Sequence, residues 1–234
     1  VDARDRGEAI EIWRIALDEI DLATATEVLD LGEISRADSF ATPLLRRRFL
    51  SRRMALRQIL ACRLGIAPAR VALELSAQGK PRLVDRPGLF FNVSHSGALG
   101  LLALSTRSEL GIDIEMVRDV PRWTEIVREF FAETEREALL RSDRTVSTFL
   151  AFWTRKEAVA KATGLGLDLP LSSFTVAKLV GAESSAVTIR GLRGAARTWH
   201  VRDLMSGPEH IAALASSSAY AEIKWKSFPV FGER

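Results

Sequence analysis

GIDIEMVRD, residues 111–119, decides how this chain is read. Two carboxylates, Asp113 and Glu115, stand two apart in an otherwise apolar run of Gly111, Ile112, Ile114 and Met116. In a β-strand, residues two apart share a face. The isoleucines are then expected to enter a core while Asp113 and Glu115 stand side by side on the opposite face. Like charges that close repel unless something positive sits between them. The stretch therefore asks for a cation.

Working outward, LFFNVSHSGALGLLALS (89–105) reads as two strands joined at the Ser-His-Ser-Gly turn, and AQGKPRL (77–83) as a turn followed by a short extended piece. On the other side, residues 121–163 read as mostly helical, ending in FLAFWTRKEAVAKATG with Gly164 as the C-terminal cap. PLLRRRFLSRRMALRQILACRL (43–64) is expected to be a helix. Leu45, Phe49, Met54, Leu56, Ile59, Leu60 and Leu64 recur near helical spacing, Pro43 suits the start and Gly65 the end. IEIWRIALD (10–18) reads as an opening strand. The tail offers strand-like stretches at SFTVAKLV (173–180), AVTIRG (186–191), TWHVRDL (198–204), HIAALAS (210–216) and YAEIKW (220–225). The order strand–helix–strands, then strand–helices–strands, predicts an α+β chain of two similar halves meeting near residue 108. No short-period repeat or low-complexity segment interrupts it.

With 234 residues and 47% hydrophobic composition, the chain has enough apolar material for one large domain or two small ones. No apolar run approaches the roughly 18–20 residues that span a bilayer. The polar start, VDARDRGEAI, has no signal-peptide pattern. Cys62 is the single cysteine, which excludes a disulfide framework and a thiolate metal site within the chain. A reducing cytoplasm, with no membrane partner, is the expected setting. The net charge of +3 hides an asymmetry. Acids dominate up to residue 40, whereas Leu44 to Arg70 holds eight arginines and no acid. Such a segment is either a solvated helix face or a surface for an anionic partner.

Glu157 and Lys161 are four apart on the expected last helix, hence on one face, with Trp153 a turn earlier and Lys156 beside them. An exposed ion pair is the plain reading. Phe149, Phe152, Trp153 and Val159 leave little of that helix for solvent, which puts Glu157 near the interior or a cleft. Ser94-His95-Ser96 does not make a serine hydrolase, because adjacent strand residues face opposite ways and the nucleophile elbow G-x-S-x-G is absent. Three histidines and one cysteine show no zinc-ligand spacing. Gly79-Lys80-Pro81 is a turn with a basic tip but no P-loop sequence. Taken together, Asp113, Glu115 and Glu157 are hard oxygen ligands suited to Mg2+ or Mn2+. Lys80, His95, Lys161 and the arginine helix supply cations around them, and these are the parts of phosphoryl-type transfer. A divalent cation holding a polyphosphate would answer the opening question.

QGKPRL, FNVSHSG, GIDIE and FWTRKEAVAKATGLGL, in this order and spacing, resemble the 4'-phosphopantetheinyl transferases of the Sfp type. The resemblance covers about residues 77–175, and RADSF…RRRFLSRRMALR (36–57) matches the family's N-terminal helix more loosely. It implies the family's α+β fold, two halves related by a pseudo-two-fold axis. It also implies a reaction: the phosphopantetheine arm of coenzyme A moves to a serine of an apo acyl or peptidyl carrier protein, and adenosine 3',5'-bisphosphate leaves. Asp113, Glu115 and Glu157 would hold Mg2+. His95 and Lys161 would bind phosphate oxygens, while Ser94 and the Lys80–Pro81 turn seat the coenzyme. Arg48 and Arg53 are the candidates for the ribose 3'-phosphate, with Arg36 and Arg46 less well aligned. Glu157 is the expected base toward the carrier serine, with Lys161 as charge stabiliser; Lys161 itself or a metal-bound hydroxide stay open as bases.

The length fits the family's long form, with residues 1–108 as a cationic, coenzyme-side subdomain and 109–234 as the subdomain of metal ligands and catalytic helix. A monomer is then expected, serving polyketide synthases or nonribosomal peptide synthetases. A nucleic-acid module would explain the arginines but not the acids, and 7% aromatic residues give few stacking platforms. A Mg2+-dependent phosphatase or nuclease would use similar acids. A degenerate carrier-protein or coenzyme A binder of the same fold is the remaining alternative.

Overall fold

A computed structural model describes residues 8–84, 88–140, 145–176, 185–190, 196–204 and 209–229. Strand β1 (Glu8–Ala16) leads through short helices α1 (Ala25–Val28) and α2 (Leu31–Asp38) into the long helix α3 (Pro43–Leu64). A small hairpin follows, β2 (Leu73–Leu75) with β3 (Pro81–Leu83), then the strands β4 (Phe90–Ser96), β5 (Leu99–Ser105) and β6 (Leu110–Met116). Helices α4 (Trp123–Phe130), α5 (Glu133–Leu139) and α6 (Val146–Thr163) come next. The chain closes with β7 (Ser185–Arg190), β8 (Ala196–Leu204), β9 (His210–Ser216) and β10 (Tyr220–Ser227).

Local chemistry accounts for the helix ends. Thr42 Oγ1 accepts from the Leu45 amide, Pro43 occupies the first turn, and Gly65 closes α3 in the left-handed region at φ 65°. The bounds 43–64 match the sequence reading. Gly164, at φ 68°, ends α6 in the same way. Helix α2 starts at a capping box: Asp30 accepts from the Glu33 amide at 2.8 Å and Glu33 accepts from the Asp30 amide at 3.1 Å. Residues 173–180 depart from expectation. Leu171–Ser173 forms a 3-10 turn and Phe174–Val176 joins no strand, while 177–180 lie outside the described residues.

Two four-stranded sheets carry the fold, ordered β10-β1-β5-β4 and β6-β9-β8-β7. Their connections repeat. In each, an opening strand (β1 or β6) pairs antiparallel with the second strand of a later hairpin (β5 or β9), whose first strand (β4 or β8) lies beyond. The long helix α3 or α6 intervenes. One strand breaks the division at residue 108: β10, from the end of the chain, lies parallel to β1 in the first sheet.

The pleat sorts the side chains into layers. Ile10 and Ile12 of β1, Leu101 and Ala103 of β5, Ile112 and Ile114 of β6 and Leu214 of β9 form one cluster between the sheets. Each of these isoleucines and leucines, fully buried, contributes about 1.5–3 kcal/mol. Leu102 and Leu104, one position out of phase on β5, meet Leu56, Ile59 and Leu60 of α3. Ala213 and Ala215 of β9 face Phe149, Ala158 and Val159 of α6. The result is α3, sheet, sheet, α6. The residues of β6 that do not enter the inter-sheet cluster, Gly111, Asp113 and Glu115, are therefore turned to the α6 side.

Candidate active site

β4 and β6 are the edge strands of their sheets and lie side by side without a backbone ladder. Alternate side chains of β4 join them instead. Asn92 Oδ1 accepts from the Ile112 amide at 2.8 Å, Ser94 Oγ donates to Asp113 Oδ1 at 2.9 Å, and Ser96 Oγ accepts from the Met116 amide at 3.0 Å while donating to Glu115 Oε2 at 2.9 Å. Buried backbone donors need partners, and this polar seam supplies them where the two halves meet.

Gly111 sets the third side of the site. A Cβ there would collide with the Ala158 carbonyl and the Ala162 backbone, so the glycine lets α6 lie directly on β6. That approach brings Lys161 Nζ to 2.5 Å from Asp113 Oδ1 and 3.1 Å from Ser94 Oγ. Lys161 is thus the positive group beside Asp113. Asp113 is 4% exposed, and its Oδ2 is buried without a hydrogen-bond partner among the described residues. Burial, then the Asp113 charge, holds the Glu157 carboxyl above the usual carboxylate range, with Glu115 adding to the push and Lys161 opposing it. Burial also raises Glu115, against the Ser96 hydrogen bond. Among the described residues, no group of three or more His, Cys, Asp or Glu side chains is drawn close enough to hold a metal ion.

Glu157 and Lys161 look into a cavity of about 630 Å3 that Lys80, Pro81, Trp153 and Leu171 also line. Lys80 reaches across from the hairpin turn to donate to the Leu110 carbonyl at 2.9 Å, and burial lowers it to about 8. A second cavity, of about 350 Å3, lies on the other side of Gly79 and Pro81 and is lined by Arg36, Phe49, Arg52 and Arg53. Gly79 and Pro81 border both.

The predicted residues separate into groups. Ser94, Asp113 and Lys161 touch, and Glu157, Lys80 and Pro81 line the cavity that Lys161 also lines. His95 points the opposite way from Ser94, toward α3, where Arg52 Nη1 lies 3.0 Å from its Nδ1. Loss of water, then the charges of Arg52, Lys161 and Arg48, push the His95 imidazole down to about 4, so it is neutral at pH 7. Most arginines of α3 are met by the N-terminal acids. Arg48 forms a two-pronged pair with Asp18 at 2.8 and 2.7 Å, Arg53 binds Glu33, Arg57 binds Glu33 and Asp30, and Arg46 binds Asp38. Arg36 and Arg52 have no carboxylate partner among the described residues, and burial with the Arg53 and Arg36 charges lowers Arg52 to about 10.

Sequence reasoning passed over Arg52, Asn92 and Ser96. The last two carried a signal, since positions 92, 94 and 96 are all polar at strand spacing. Arg52 carried none: which arginines keep their charge free depends on which acids fold back onto α3.

The chain is similar to known proteins. Residues 109–215 match the family model of the 4'-phosphopantetheinyl transferase superfamily. The 4'-phosphopantetheinyl transferase HetI of Nostoc sp. is 34% identical over 82% of this chain and 92% of its own length. The protein slr0495 of Synechocystis sp. is 36% identical over 68% of this chain and 66% of its own. The 4'-phosphopantetheinyl transferase Sfp of Bacillus subtilis is 41% identical over 42% and 43%. The chain belongs to the 4'-phosphopantetheinyl transferase superfamily.

Proposed function

We propose that the protein transfers the 4'-phosphopantetheine arm of coenzyme A to a serine of an apo acyl or peptidyl carrier protein, releasing adenosine 3',5'-bisphosphate. The observation that carries this reading is the pair of unlike cavities on either side of Gly79 and Pro81, with Glu157 and Lys161 lining the larger one and Asp113 bound to Lys161. Coenzyme A is likewise two-ended, a phosphorylated nucleotide joined through pyrophosphate to an uncharged arm. Arg36, Arg52 and Arg53 suit the 3'-phosphate, and the cavity beside Trp153 and Leu171 suits the arm. Arg48 and Arg53 are each paired, with Asp18 and Glu33, but Arg48 does not line that cavity and is the weaker candidate of the two named from sequence. Lys80, Lys161 and neutral His95 then serve the pyrophosphate.

Asp113, Glu115 and Glu157 fit a divalent cation by their chemistry. Asp113 keeps one buried oxygen without a hydrogen-bond partner among the described residues, and burial first, with the Asp113 charge adding to it, raises the Glu115 and Glu157 carboxyls, a push that such an ion would oppose. Bound there, Mg2+ or Mn2+ would offset the negative charge that builds on the pyrophosphate oxygens. The protein's own groups do the rest. Glu157 takes the proton of the carrier serine. The serine oxygen bonds to the phosphorus next to the pantetheine, and the bond from that phosphorus to the bridging oxygen breaks. The leaving bisphosphate keeps that electron pair, its charge steadied by Lys161 and Lys80.

Every residue in this scheme comes from one chain, so we propose a monomer with its site between residues 1–108 and 109–234. Pairing of the α3 arginines with nearby acids leaves little free charge for nucleic acid. The lone cysteine fits a cytoplasmic setting, and among the described residues no helix is long and apolar enough to cross a membrane. Intact mass of an apo carrier protein incubated with this protein, coenzyme A and Mg2+ tests the reading. The carrier is expected to gain one phosphopantetheine, and EDTA or Glu157→Ala to abolish the gain. Failure to bind coenzyme A would overturn it.

A further inference from the structure

Lys156 adjoins Glu157 in sequence but does not line its cavity. It is fully buried, as is Glu135 of α5, and the two pair at 2.7 Å. The Lys156 ammonium also donates to the carbonyls of Leu171 at 2.7 Å and Phe174 at 2.8 Å. All three of its protons are thereby used. The rings of Phe131 and Phe174 flank it with centroids 5.3 and 4.4 Å away. Glu135 is equally engaged, accepting from the Ala132 amide at 3.0 Å and the Val176 amide at 2.6 Å. One buried pair thus ties α6 and α5 to residues 171–176.

Those residues matter because they belong to no sheet. Leu169, Pro170 and Leu171 line the larger cavity, in a stretch whose only regular structure is two 3-10 turns and whose Leu169, Phe174 and Val176 pack into the core. A segment without a ladder needs other donors for its carbonyls. Burying a charge pair is costly compared with packing apolar side chains in the same volume, so a core lysine here asks for a role that an apolar side chain could not fill.

We infer that Lys156 is a positioning residue: with Glu135 it pins the segment Leu169–Phe174 to α6 and so shapes the wall against which the pantetheine arm lies. This rests on the proposed function for the identity of the arm. The wall touches the arm's cavity and not the arginine cavity, so its loosening should weaken coenzyme A while sparing adenosine 3',5'-bisphosphate, which lacks the arm.

The test pairs Lys156→Met with Glu135→Gln, which leaves no stranded charge. In the folded double variant, KM for coenzyme A is expected to rise about tenfold, while the inhibition constant of adenosine 3',5'-bisphosphate stays within about twofold. Amides of 169–176 should exchange with deuterium about tenfold faster, with α6 unchanged. An unchanged KM, or a parallel rise in the inhibition constant, would overturn the inference. Should the double variant not fold, the wild-type protein decides. Its Ser173 and Val176 amides must be protected as well as those of α6, and fast exchange there overturns the clamp. Exchange needs no substrate, so absence of transfer by the wild type would count against the proposed function alone.

Discussion

Lys80 is a buried cation whose charge state is brought close to working pH. Burial lowers it from 10.5 to about 8. Below about pH 8 the ammonium is charged in folded and unfolded chain alike. Above it the folded protein loses the proton first, so the cost of burying the charge lifts and stability contributed by this group rises between 8 and 10.5. Affinity for a polyphosphate runs the other way. We expect kcat/KM for coenzyme A to fall above about pH 8 and Lys80→Arg, which stays charged, to carry the plateau to higher pH. A profile identical in the variant would remove Lys80 from the coenzyme site. At this scale the sequence showed much of what the site contains. Alternation in GIDIE placed Asp113 and Glu115 on one face, and strand geometry turned Ser94 and His95 apart. It could not show that Lys161 would reach Asp113, because that contact depends on how far α6 settles onto β6.

That settling is an affair of elements, and Gly111 governs it. Gly111→Ala would drive a Cβ into the Ala158 carbonyl and the Ala162 backbone, neither of which is a flexible side chain. The helix must then withdraw, taking Glu157 and Lys161 from Asp113. We expect a loss of about 3 kcal/mol in urea denaturation together with loss of transfer activity. Unchanged stability would show that α6 has room to shift. Element bounds were legible wherever a local signal marked them. Helix α3 had Pro43 and Gly65 at its ends, and α2 had an Asp30–Glu33 capping box that a closer reading would have found. The segment 171–176 had none, since its carbonyls are satisfied from afar by Lys156. Its alternating apolar residues imitate a strand.

For the molecule as a whole, the sequence reading of an α+β chain agrees with the mixture of helices and sheets. Pattern along the chain could not reveal where β10 goes, because a strand's own residues say little about its partner. β10 covers the free edge of β1, contributes Ile223 to the inter-sheet cluster, and runs on into Phe228, which packs against the α3 layer. Removing residues from 219 onward should therefore damage the first half of the protein rather than the second. We expect such a truncation to lose cooperative unfolding and to aggregate through the bared β1 edge. Full-length behaviour from the shortened chain would mean that β10 is dispensable trim.

The position of β10 also bears on how the protein is made. β1 leaves the ribosome long before its neighbour on one side, Tyr220–Ser227, is made. During synthesis β1 can meet β5 but must wait, one edge bare, until β10 has emerged. Contacts that distant in the chain close slowly. The nascent protein thus carries an unfinished sheet through all the synthesis that separates β5 from β10, and chaperones that shield strand edges should matter more for it than for a chain whose sheets close one after the other.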